Sequence, residues 1–256
     1  MKLNRKPKII IMSGYGLNCE EETKFAFEKA GGQADIVHLN DLIASPAILK
    51  EYDILAFPGG FAYGDDTGSG KAYANKFKNH LSKELTEFLT RDTLVIGICN
   101  GFQITTSLGI LPGALTFNSG GKYLDRWVDL KVEGKSPWLT GIKTISVPIA
   151  HGEGQYTISA KDYKNLKKNK QIAFTYTKGN ICKFQNLKAN PNGSMHDIAG
   201  VLAYNGRVLG LMPHPERAMF SHQSPMWQKN KKMITSEWGD GILIFKNAIN
   251  YFRNKN

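Results

Sequence analysis

Along the first third of the chain, short apolar runs alternate with longer stretches in which apolar residues recur every three or four positions. The short runs at 8–12, 34–38, 53–57 and 93–98 have the length and β-branched content of buried strands. Helical periods lie between them. One starts at Asn18, which with Glu21 three residues on makes an N-terminal capping signal. It continues through Phe25, Phe27 and Ala30 to a stop at Gly31-Gly32. A second helix-prone segment precedes 53–57, a long helix covers 70–90, and 102–108 reads as a helix directly after the fourth strand. This alternation predicts an α/β protein: a mostly parallel, doubly wound sheet flanked by helices.

The pattern changes further on. Residues 127–132, 143–147, 171–176 and 198–204 are short strand candidates, joined in part by Gly- and Asn-rich turns such as Asn190-Pro191-Asn192-Gly193. They predict antiparallel strands added at one side of the parallel sheet. Val208-Leu209-Gly210-Leu211-Met212 is one more strand. The last element is a helix at 241–252, with Ile242, Phe245, Ala248, Ile249 and Phe252 at helical spacing. No internal repeat or low-complexity linker interrupts the 256 residues. The expectation is one domain, 1–256.

Composition narrows the functional classes. The chain is 41% hydrophobic and 21% charged, as in ordinary globular proteins. No apolar run approaches the roughly 18–20 residues of a membrane span, and Ile9-Ile10-Ile11-Met12 suits a first strand better than a leader. No membrane association is expected. Three cysteines, Cys19, Cys99 and Cys182, without CxxC spacing argue against a disulfide framework and a zinc site. A reducing cytoplasm is the expected home. The net charge of +11 raises nucleic acid as a partner. Only six of the 33 basic residues are Arg, however, and the lysines fall in runs such as 161–170 and 229–232. Such runs are solvated faces, so no nucleic acid is expected.

Three segments carry chemistry. Gly97-Ile98-Cys99-Asn100-Gly101, between a strand and a helix, is a Gly-x-nucleophile-x-Gly pattern with cysteine at its centre. A reactive side chain on a sharp strand-to-helix turn needs small residues two before and two after it, because the backbones there approach closely. The turn also places the sulfur at a helix N-terminus, which favours thiolate. Pro213-His214-Pro215-Glu216 follows the strand at 208–212. In an extended segment His214 and Glu216 point to one side, so the carboxylate orients the imidazole as a base. The third, Pro58-Gly59-Gly60-Phe61, follows the strand at 53–57, and its glycines let N–H groups turn toward an oxyanion.

Gly97-Ile98-Cys99-Asn100-Gly101-Phe102-Gln103 resembles the nucleophile motif of class I, triad-type glutamine amidotransferases. Four further stretches resemble, in order, the glutaminase subunit or domain of phosphoribosylformylglycinamidine synthases of purine biosynthesis. They are Pro58–Asp65 (PGGFAYGD), Pro148–Gly154 (PIAHGEG), Asn190–Ser194 (NPNGS) and Met212–Ala218 (MPHPERA). The resemblance implies the class I amidotransferase fold, which is flavodoxin-like. It implies that Cys99 attacks the glutamine side-chain amide, with His214 as base and then acid and Glu216 as its orienter. It places the oxyanion hole at the N–H groups of Gly60 and Asn100, and substrate binding at Gln103 and at the strand around His151 and Gly152. The expected partner is an ATP-dependent synthetase subunit, with or without a small accessory subunit, which receives ammonia and forms formylglycinamidine ribonucleotide. No GxxxxGK[ST] loop is present. ATP and magnesium are therefore expected on that partner and no cofactor or metal on this chain. Cys19 and Cys182 are expected to tolerate serine. Two departures bear on partner type: Asp66-Thr67-Gly68-Ser69-Gly70-Lys71, and almost forty residues beyond Arg217.

Other readings compete. An amidotransferase subunit of another pathway shares the Cys and His-Pro-Glu segments and differs only in the 148–154 and 190–194 stretches. A non-catalytic α/β binding module with an oxidisable Cys99 leaves His214 and Glu216 without a role. A basic nucleic-acid binder predicts steeply salt-dependent binding.

Overall fold

The structure is a computed structural model that describes residues 5–65, 68, 70–229 and 234–253. Its sheet begins with five parallel strands: β1 (Lys8–Ser13), β2 (Gln33–His38), β3 (Ile54–Phe57), β4 (Leu94–Ile98) and β11 (Val208–Leu211). β3, β4 and β11 are buried at every position, as strands covered on both faces must be. The spatial order β2-β1-β3-β4-β11 is that of a doubly wound sheet whose direction of winding reverses between β1 and β3.

Past β11 the sheet continues antiparallel through β10 (Ile198–Ala203), β9 (Ile172–Thr177), β6 (Leu124–Val132) and β7 (Thr144–His151). The added strands foreseen from sequence are these. β7 runs four residues further than the period-2 pattern indicated, because Pro148 and Ala150 pair with Trp127 and Asp125. That extension carries the chain to His151. A separate two-stranded pairing, β5 (Ala114–Thr116) with β8 (Gln155–Thr157), is too short for any period to register.

Helices α1 (Glu20–Ala30) and α7 (Ile242–Arg253) pack together, as do α3 (Lys71–Thr90) and α4 (Asn100–Ser107). Phe27 of α1 meets Phe245 of α7 edge to face at 4.9 Å, and Phe57 of β3 meets Phe77 of α3 in the same way at 5.4 Å. Three shorter helices are α2 (Leu39–Ala44), α5 (Ala160–Lys168) and α6 (Asn180–Gln185). Of the lysine run 161–170, most residues sit on the exposed face of α5 or just beyond it, as a solvated run should. Residues 66, 67, 69 and 230–232, named above for partner type and charge, lie outside the described residues.

The start of α1 differs from expectation. Cys19, not Asn18, is the cap residue, and no side chain caps the helix. Three acidic residues, Glu20, Glu21 and Glu22, complement the dipole instead. Among the described residues no helix is long and apolar enough to cross a membrane.

Candidate active site

β1, β3, β4 and β11 are neighbours and parallel, so their C-terminal ends share one edge of the sheet. The segments after them are 14–19, 58–61, 99–101 and 212–217. Cys99 occupies the turn from β4 into α4 with φ 51° and ψ −107°, a conformation costing on the order of 1–3 kcal/mol for a residue with a Cβ. Close packing holds it there. A Cβ on Gly97 would lie 2.6 Å from the carbonyl oxygen of Gly101, and one on Gly101 would collide with the Phe57 carbonyl. The two glycines of the pentapeptide are thus required by backbone approach from β3 and α4. The Cys99 thiol is nearly buried and lies 3.8 Å from the carbonyl oxygen of Ala150.

His214 and Glu216 are both buried, and Nδ1–H of His214 donates to Glu216 Oε1 at 2.5 Å. The pairing was anticipated, but its geometry was not. His214 leads into a 3-10 turn over Pro215–Arg217 rather than an extended segment, and that turn folds the carboxylate back onto the ring. Burial opposes a charge on His214. The Glu216 carboxylate and then the Cys99 sulfur outweigh it and hold its pKa well above the ordinary histidine range. Nε2 has no hydrogen-bond partner among the described residues.

The oxyanion hole expected at Gly60 and Asn100 has the right ingredients. Gly60 adopts φ 155°, and a Cβ there would meet the Gly16 carbonyl oxygen at 2.6 Å. Its N–H has no acceptor among the described residues. The N–H of Asn100 opens α4 and so has no intrahelical acceptor. The Asn100 side chain joins the two halves. Its Oδ1 accepts from Ala62 N–H at 3.1 Å, and its Nδ2 donates to Gln103 Oε1 at 2.6 Å. Gln103 in turn donates from Nε2 to the Glu153 carbonyl at 2.6 Å. Gln103 therefore connects the nucleophile helix to the segment after β7.

That segment, 151–154, lies beside the nucleophile through Ala150. The backbone N–H of His214 also donates to Pro148 O at 2.8 Å, which ties β7 to the loop after β11. His151 is buried, and its pKa is lowered to about 4 by burial and by the nearby His214. It is neutral at physiological pH, with its Nδ1 at 3.0 Å from Asn118 Oδ1.

This arrangement of Cys99, the paired His214 and Glu216, and free N–H groups after β3 and β4 is that of acyl transfer through a thiol. Residues 6–252 match the CobB/CobQ-like glutamine amidotransferase domain. The chain belongs to this glutamine amidotransferase family. Among curated relatives it is 48% identical to the phosphoribosylformylglycinamidine synthase subunit PurQ of Methanococcus maripaludis strain C7, over 96% of this chain and 97% of that one. It is 40% identical to the PurQ subunit of Dehalococcoides mccartyi, over 97% and 98%. Among solved structures it resembles a chain in the structure of PurLQS from Thermotoga maritima. There the TM-score is 0.73 and the identity 32%, covering 96% of this chain and 99% of that one.

For a glutamine amidotransferase, the arrangement holds one feature the sequence did not disclose. Cys19 lies in the site. Its Sγ accepts from Arg217 Nη2 at 2.9 Å, and it acts on His214 together with Cys99. The N–H of Cys19 donates to the Gly59 carbonyl at 3.1 Å, which fastens the loop after β1 to the loop after β3. Cys19, His214 and Glu216 bring one donor atom each within 4.8 Å of one another. A guanidinium already on the thiol disfavours a metal cation there. Burial works against the charge on Arg217, yet Cys19 and Glu216 raise its pKa on balance. Cys182 lies apart, its N–H bonded to Asp129 Oδ2 at 2.9 Å.

Proposed function

We propose that this chain is the glutaminase subunit of a phosphoribosylformylglycinamidine synthase and that Cys99, His214 and Glu216 are its catalytic triad. In this reading the Cys99 thiolate adds to the side-chain amide carbon of glutamine. The N–H groups of Gly60 and Asn100 hold the oxyanion, and the His214 imidazolium protonates the departing nitrogen. Ammonia leaves and a γ-glutamyl thioester remains. Water, deprotonated by His214, then releases glutamate and restores the thiol. Glu216 keeps Nδ1–H in place so that Nε2 faces the sulfur.

Glutamine binding would involve Gly152 and the neighbouring backbone, with Gln103 bracing that segment. His151 borders the site as a neutral ring. The whole of 1–256 reads as one amidotransferase domain working in the cytoplasm. No cofactor is assigned to it, and ATP and magnesium belong to the synthetase partner, which converts formylglycinamide ribonucleotide to formylglycinamidine ribonucleotide. A small accessory subunit completes the assembly, in keeping with the PurLQS structure that this chain resembles.

The observation that carries the reading is the meeting of sulfur, imidazole and carboxylate at adjacent parallel strand ends. A Cys99→Ala chain, assembled with the synthetase, tests it. Glutamine-dependent synthesis should vanish while synthesis from added ammonia continues at the wild-type rate. Loss of both together would make Cys99 structural.

A further inference from the structure

The two stretches that point to this synthase rather than to amidotransferases in general, 148–154 and 190–194, form one device, completed by Asn118. Asn118 is buried and is spent almost wholly on the segment after β7. Its backbone N–H donates to Gly152 O at 2.9 Å, and its Nδ2 donates to His151 O at 2.8 Å and to Lys122 O at 2.8 Å. Its Oδ1 accepts from Gly154 N–H at 3.1 Å and from the Nδ1 of His151. Two donations from one nitrogen fix the amide orientation, and so fix Nδ1 of the neutral His151 as the protonated nitrogen.

Asn192, also buried, holds the far end. Its Nδ2 donates to Gly154 O at 2.7 Å, and its Oδ1 accepts from the N–H and hydroxyl of Ser194 at 3.1 and 2.8 Å. Its own carbonyl accepts from Ser119 N–H at 3.0 Å, next to Asn118. With Gln103 on Glu153 O, each carbonyl from 151 to 154 has a fixed donor.

In a trans peptide the N–H points opposite to the C=O. Holding the carbonyls of His151 and Gly152 against Asn118 therefore turns the N–H groups of Gly152 and Glu153 away from it. Neither has an acceptor among the described residues. Two adjacent N–H groups without acceptors, close to Cys99 through Ala150, offer paired donors to a carboxylate. We infer that Asn118 and Asn192 are positioning residues for glutamine, locking the 151–154 peptides so that Gly152 and Glu153 receive the substrate α-carboxylate. The carboxamide of Asn118 donates twice through one nitrogen while its oxygen accepts from an N–H, a combination that aspartate, with no donor, does not supply. The inference rests on the reading of 151–154 as the glutamine-binding strand.

The test uses the complex with the synthetase and small subunit. Asn118→Ala and Asn192→Ala, and the near-isosteric Asn118→Asp in case truncation prevents folding, are compared with wild type. The readouts are the KM and kcat for glutamine, the ammonia-driven rate, and competition by 4-aminobutanamide, which is glutamine without its α-carboxylate. The expected result is a KM for glutamine raised at least about tenfold, with kcat within about threefold and the ammonia-driven rate within about twofold. An unchanged KM in folded variants would overturn the inference while leaving the strand assignment intact. A parallel fall in every rate would make the residues scaffold only and overturn it as well. If 4-aminobutanamide competes with wild type as well as glutamine binds, the strand assignment itself is wrong.

Discussion

Gly97→Ala tests whether the nucleophile turn is set by backbone contact. The new methyl would lie 2.6 Å from the Gly101 carbonyl oxygen and 2.8 Å from Thr105 Oγ1, whereas ordinary contact begins at 3.4 Å. Gly101 belongs to the first turn of α4, so the backbone of that turn must retreat by the difference, about 0.8 Å. The same turn carries the N–H of Asn100 and follows directly on Cys99. A misplacement near 1 Å costs on the order of 100-fold in rate, and overpacking costs about 1–3 kcal/mol in stability. Glutamine-dependent synthesis by the assembled complex should therefore fall by about 10- to 100-fold. The melting temperature should fall by about 2–12 °C at roughly 2–4 °C per kcal/mol. Gly101→Ala, which meets the backbone carbonyl of Phe57 head on, should be worse on both counts. Gly120→Ala, with nothing within 4 Å of its Cβ, is the control and should be neutral. A Gly97→Ala complex with wild-type activity and melting temperature would refute the claim that close packing shapes this turn.

Other perturbations separate the remaining contacts. Glu216→Gln removes the charge that holds the His214 pKa up against burial, so the basic limb of the kcat/KM profile should move to lower pH; an unmoved limb would take Glu216 out of the relay. His151 titrates near 4 when folded against an ordinary 6.5, so the unfolded chain binds more protons in between, and stability should fall by about 3 kcal/mol as pH drops through that window. Urea titrations of wild type and His151→Gln should diverge only below pH 6.5, and parallel curves would refute the assignment. Cys19→Ala strips Arg217 of its acceptor and lets the guanidinium turn to Glu216, whose Oε1 is already 3.9 Å from Nε. Its kcat should fall about tenfold, and Cys19→Ser, which keeps an acceptor, should stay near wild type; equal activity of Cys19→Ala and wild type would show the contact to be idle.

The residues legible in the sequence are those whose own neighbours carry the constraint. Cys99 is announced by glycines on each side and His214 by prolines, while Gly59-Gly60 follows an apolar run, because in each case local backbone geometry is the requirement. Strand and helix periods in the parallel half were readable for the same reason, since each element is long enough to repeat its pattern. Asn118 and Cys19 show what stays hidden. Asn118 sits in Phe117-Asn118-Ser119-Gly120-Gly121, which has the composition of any turn, and its partners in the 151–154 segment are 33 to 36 residues away. Cys19 meets Arg217 across 198 positions of chain.

That second distance explains why a lone cysteine near the first helix belongs with the chemistry. In a parallel sheet every strand delivers its following loop to the same edge, so β1, whose interior Ile9–Met12 is wholly apolar, contributes to the site through topology alone. The loop after β1 is also bonded to the loop after β3 by two N–H groups, those of Asn18 and Cys19, on the one carbonyl of Gly59. Gly60, the proposed oxyanion donor, comes next in the chain. Any shift of Cys19 is thus passed to Gly60 by a single residue of backbone and to Glu216 by Arg217. The proposed triad and oxyanion hole are therefore coupled mechanically through a side chain that the proposed chemistry does not use in bond making.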